Sequence, residues 1–124
     1  MAFIADVVFD QGLEVAQAGI TRIDITSAEA SSYANVAAVT LGNKTGITTG
    51  APTDGASTGR RVIIPAIISA SAGSVTASGT ATHWAATNGS STLYATGALT
   101  APQAVTSGNT FTLDAIDITI ADAT

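Results

Sequence analysis

The chain reads as an all-β protein: a small antiparallel β-sandwich, jelly-roll or immunoglobulin-like, with one short helix near residues 28–35. Three observations lead there. Residues 79–122 read as one antiparallel ribbon of small Ala, Thr and Ser side chains, punctuated by turn signals at Asn88-Gly89 and Ser107-Gly108-Asn109. Residues 62–68 form an apolar run of strand length. The apolar phase then slips at Asp114-Ala115, from Phe111 and Leu113 to Ile116, Ile118 and Ile120. Such a slip marks a bulge, or a bend that carries the chain between two sheets.

In residues 5–25, Val7 and Phe9 share a face, and Leu13 with Val15 keeps a period of two, although 14–18 also fits a helical turn. Thr21, Ile23 and Ile25 alternate with Arg22, Asp24 and Thr26, which predicts a half-buried strand. Ser27 is a good N-cap and Glu29 stands where the helix dipole favours a carboxylate. A helix over 28–35 follows, with Tyr33 packed on the sheet. Residues 36–41 read as a strand. Residues 42–59, rich in Gly, Thr, Ser and Pro, read as one long loop with a turn at Pro52-Thr53-Asp54-Gly55. A loop of that length is the first place to expect a partner contact.

The run 62–68 is apolar on both faces: Val62, Ile64, Ala66 and Ile68 on one, Ile63 and Ile67 on the other. Such a strand is either central and covered on both faces or half-covered by another subunit, and Pro65, which cannot donate to a ladder, favours a sheet edge or a bulge. A bare apolar edge aggregates, which predicts a covering partner. Asn88-Gly89 is a type I′ hairpin signal. A two-residue loop there sets Trp84 opposite Leu93 and His83 opposite Tyr94, and a four-residue loop shifts both pairs. A further strand starts at Gln103. No internal repeat is present, and residues 1–124 read as one sandwich domain.

Composition narrows function. Apolar residues make up 46%, much of it alanine, so the core is thin and neighbouring subunits are expected to add to stability. Net charge is −5 with four Lys/Arg residues, too few for the basic stripe that nucleic-acid binding requires. Cysteine is absent, which excludes disulfides and thiolate metal sites. The first residues lack a secretory pattern, and no apolar run reaches the ~18 residues of a membrane span. The expectation is a soluble protein made in a cytoplasm, with no membrane or nucleic-acid partner.

Chemistry-bearing residues are sparse. His83 is the only histidine, sits mid-strand and has no nucleophile elbow nearby, so a cross-strand or interface role is expected. Asp114, Asp117 and Asp122 lack the spacing of a calcium loop. Gly42-Asn43-Lys44-Thr45 lacks the Gly-Lys adjacency of a phosphate loop. Arg60-Arg61 is the sole basic pair, suited to an acidic surface or to solvent. No catalytic residue, cofactor or metal is expected. Trp84 reads as core.

Six segments in order resemble a family of small tailed-bacteriophage virion structural proteins of the capsid decoration or appendage type. They are Asp10-Gln11-Gly12-Leu13; Thr26-Ser27-Ala28-Glu29 with Tyr33; Asp54-Gly55-Ala56-Ser57-Thr58-Gly59-Arg60-Arg61-Val62; Gly79-Thr80-Ala81-Thr82-His83-Trp84-Ala85; Ser107-Gly108-Asn109; and Ile118-Thr119-Ile120-Ala121-Asp122. The resemblance implies a non-enzymatic homo-oligomer in the virion, assembled in the host bacterial cytoplasm. Its partners would be the major capsid protein or other virion proteins. The interface residues expected are Arg60, Arg61, Ile63, Ile67, Asp54 and Tyr33. The alternative is a tail or fibre module that binds host-surface glycan on Trp84, Tyr94 and His83.

Overall fold

Strand β1 (Arg22–Thr26) is covered on both faces, and the rest of the molecule is arranged around it. Its alternation sends Ile23 and Ile25 to one side and Asp24 and Thr26 to the other, and all four are buried. The computed structural model describes residues 6–55 and 59–120. Within them the order is α1 (Asp6–Gly19), β1, α2 (Tyr33–Val39), β2 (Thr40–Thr45), β3 (Thr53–Asp54), β4 (Arg60–Ile64), β5 (Gly73–Val75), β6 (Gly79–Thr87), β7 (Leu93–Val105), β8 (Thr110–Phe111) and β9 (Ile116–Ile120).

The strands form two antiparallel sheets, ordered β7-β6-β1-β2-β5-β8 and β3-β4-β9. Between them lies the main core, with Ile20, Ile23, Ile25, Val75 and Phe111 meeting Ile64 and Ile67. Each isoleucine so buried contributes about 1.5–3 kcal/mol. On the outer face of the six-stranded sheet a smaller cluster of Ala30, Val36 and Ala85 seats α2. The sandwich expected from the alternating runs is therefore present.

The phase slip is a passage between sheets. Phe111 belongs to β8, and five residues later Ile116 opens β9 in the other sheet. Between them Leu113 bridges Ile67 through reciprocal backbone hydrogen bonds of 2.9 Å. The ribbon expected over 79–122 is thus interrupted: β8 pairs with β5, and β9 pairs with β4.

Several local expectations are corrected. The run before β1 is helix, not strand, because Leu13, Ala16 and Ile20 supply an inward stripe at helical spacing while Val15 is 62% exposed. This helix packs along β4. Gly12 lies beside Ile120, and Gly19 lies against the Tyr94 ring, so α1 links the two sheets. The short helix begins five residues later than the expected 28–35. Ser32, not Ser27, is the cap, accepting from Asn35 N–H at 3.2 Å, while Asn35 Oδ1 accepts from Ser31 N–H at 3.0 Å. Residues 36–39 are therefore helical, and the next strand starts at Thr40.

The loop over 42–59 is shorter than expected at both ends, since β2 runs to Thr45 and Thr53–Asp54 pairs with β4. Thr53 and Asp54 of the expected turn are strand, and Gly55 N–H donates to Gly59 O at 2.9 Å.

The apolar run 62–68 is not one strand at an edge. β4 ends at Ile64, before Pro65, and lies between β3 and β9. Val62 and Ile64 are buried by the protein's own fold, Ile63 is half-buried and Ile68 is 57% exposed.

The hairpin takes neither expected register. Thr87 pairs with Leu93, Trp84 with Gly97 and His83 with Ala98, leaving 88–92 as the loop. Type I′ needs positive φ at both central residues, and here only Gly89 has it. Asn88 Oδ1 instead accepts from the N–H groups of Ser90, Ser91 and Thr92 at 3.0, 2.8 and 3.0 Å.

Candidate interaction surface

Register in the β6–β7 pair shapes an open concavity. Ala81 pairs with Gln103 and His83 with Ala98, so Leu99, Thr100, Ala101 and Pro102 lie opposite the single residue Thr82. The excess chain bulges outward, and Pro102 falls where no ladder donor is needed. Beside it the chain crosses between sheets. Together they frame an open groove of about 910 Å³, lined by Trp84, Leu99, Gln103, Ile67, Ile68 and Asp114 among others. Such a mixed apolar and polar groove can receive a protein segment or a small polar ligand.

The residues expected at an interface are only partly brought together. Arg60 and Asp54 are cross-strand partners joined by Nη1 to Oδ1 at 2.7 Å. Arg61 donates from Nη1 to Asp117 Oδ2 at 2.6 Å and shares the outer face of the three-stranded sheet with Ile63. Ile67 is 4% exposed and belongs to the core. Tyr33 starts α2 over the other sheet, far in the fold from the arginine pair. Each arginine is thus paired with an aspartate of its own chain. Exposed pairs of this kind contribute about 0–1 kcal/mol.

The third arginine is part of a buried network that the sequence reading missed. Arg22 Nε and Nη2 grip the two carboxylate oxygens of Asp24 at 2.7 and 3.0 Å, and Thr40 Oγ1 donates to Asp24 Oδ2 at 2.7 Å. The hydrogen bond to Asp24 holds the Arg22 guanidinium above its ordinary range, against the opposing effect of burial. The i, i+2 spacing on a strand was the available signal, since it puts both side chains on one face.

The three aromatic or titratable groups of the β6–β7 hairpin do not form one platform. Trp84 and Tyr94 both pack against the main core. His83 points to the other face, its Nδ1 2.8 Å from Thr82 Oγ1. Asp114 and Asp117 gather no further ligands: no group of three or more His, Cys, Asp or Glu that could hold a metal exists among the described residues. Asp122 lies outside them. Lys44 donates from Nζ to Ser71 Oγ at 2.8 Å.

One pattern becomes visible only on the fold. Every Lys, Arg, Asp and Glu lies before Val62 or after Leu113. The interval between holds β5, β6, β7 and β8, so both flanks of the six-stranded sheet carry no formal charge. No helix among the described residues is long and apolar enough to cross a membrane. No family model, curated protein or solved structure matches the chain.

Proposed function

We propose that the chain is a non-enzymatic structural protein of a bacteriophage virion, a decoration subunit that stabilises the capsid. The observation that carries this reading is the uncharged outer strand β7 beside an open groove, a surface suited to holding other protein. The phage-like segments support it. Asp54 and Arg60 of one segment lock the β3–β4 hairpin, and Ser107-Gly108-Asn109 of another turns at Gly108 with φ 92°. The subunit assembles as a homo-oligomer in the host bacterial cytoplasm and contacts the major capsid protein or other virion proteins. Many weak contacts repeated over a lattice then resist outward pressure by avidity. Quantitative mass spectrometry of purified virions tests it. A copy number comparable with the capsid protein is expected, and only a few copies per particle would contradict it.

The position of Trp84 in the groove favours one second reading, a tail or fibre module that stacks a host sugar on the indole. His83 and Tyr94 contribute nothing to that surface. Glycan binding by the purified chain, lost in Trp84→Ala, distinguishes this reading from the first.

A further inference from the structure

We propose that β7 is a self-association edge, along which two copies of this chain pair β7 to β7 in antiparallel fashion and extend the six-stranded sheet across a two-fold axis. The inference deepens the homo-oligomer of the proposed function, and its test needs only the chain itself.

Among the described residues β7 is the last strand on its side of the sheet, and no strand pairs with its outer edge. It is also the longest strand, 13 residues from Leu93 to Val105. The other sheet ends differ. β8 and β3 have two residues each, too short to template a partner, and β9 carries Asp117 bonded to Arg61. Monomeric proteins blunt long edges with lysine or other charges. β7 has none. The bulge and Pro102 blunt the part beyond Ala98 and a second register shift falls at Tyr94, leaving the regularly paired stretch 95–98 open.

The charge distribution says what covers it. A copy of an acidic chain approaches another against like-charge repulsion, except where the surface holds no carboxylate. β7 contributes no carboxylate of its own to that surface. An isologous pair places the same uncharged strand on both sides of the axis, and the backbone supplies donors and acceptors equally. A charged partner would find nothing on β7 to pair with. Glu29, whose Oε1 accepts from Thr96 Oγ1 at 3.1 Å, reaches the strand from the α2 side. Beside the edge, exposed Ile68 and the groove wall at Ala98 and Leu99 supply apolar surface for the same contact.

Light scattering of the purified full chain over a concentration series provides the test. The wild type is expected at a multiple of the monomer mass. Ala98→Lys with Thr100→Lys, two exposed positions, is expected to shift it to monomer with an unchanged far-UV spectrum. Because the chain has no cysteine, a single-cysteine scan through residues 94–98 gives an independent readout. Homodisulfide is expected to peak at one position and fall away on either side. A monomeric wild type, multimers that persist in the lysine variant, or uniformly low crosslinking along the scan would each overturn the proposal.

Discussion

Trp84 and Gly97 are cross-strand partners, and the indole lies over the glycine so closely that a Cβ added there would sit 2.7 Å from ring Cζ2. The strand that borders the groove is therefore shaped to one tryptophan. Gly97→Ala forces the ring or the strand to move and is expected to cost about 1–3 kcal/mol, as overpacking does. Trp84 is the sole tryptophan, so its fluorescence reports the displacement directly. An unchanged emission maximum together with unchanged stability would refute the contact.

Asp24 is fully buried and depends on Arg22 and Thr40. Removing the guanidinium in Arg22→Ala strands a buried carboxylate and is expected to cost about 3–5 kcal/mol in urea unfolding. The double variant Arg22→Ala, Asp24→Ala is expected to recover part of that loss. Independent, additive losses would show that the two groups do not act as a pair.

Ile64 and Arg61 stand in the same strand and are expected to respond to different extents. Ile64→Ala removes a fully buried side chain and is expected to cost about 2–5 kcal/mol. Arg61→Ala breaks a partly exposed ion pair with Asp117 and is expected to cost about 0–1 kcal/mol. Chemical denaturation of the two variants side by side checks the difference.

Asn88 holds the 88–92 loop by accepting three backbone N–H groups on one oxygen. Asn88→Ala leaves those donors to water and is expected to destabilise by about 1–2 kcal/mol, whereas Asn88→Asp keeps the acceptor and is expected to stay near wild type. Thermal unfolding of both variants separates this capping role from the backbone preference of an Asn-Gly turn.

What the sequence revealed follows from where hydrophobicity was concentrated. The sandwich was legible because Ile116, Ile118 and Ile120 change phase against Phe111, and that change coincides with the crossing between sheets. The helix α1 was not, because its inward stripe runs through Ala16 and is interrupted by Gly12 and Gly19, which masks a period of 3.6. The second helix was located but displaced, since Ser27 and Ser32 offer equivalent caps and only Asn35 decides between them. The apolar run 62–68 was legible as buried only in part: α1, β3 and β9 enclose Val62 and Ile64, while Pro65, Ala66 and Ile68 are exposed, and the sheet edge at β7 is rich in Ala and Thr and carries little hydrophobic signal. Edges are set by which strands pair, and pairing is long-range information.

The most direct measurement of the proposed role is a density map of the intact phage particle that carries this chain. The account predicts the two-sheet subunit repeated over the outer surface of the head, in contact with the capsid protein and with its own copies. A head surface without such density, with the subunit confined to the tail or absent from the particle, would contradict it.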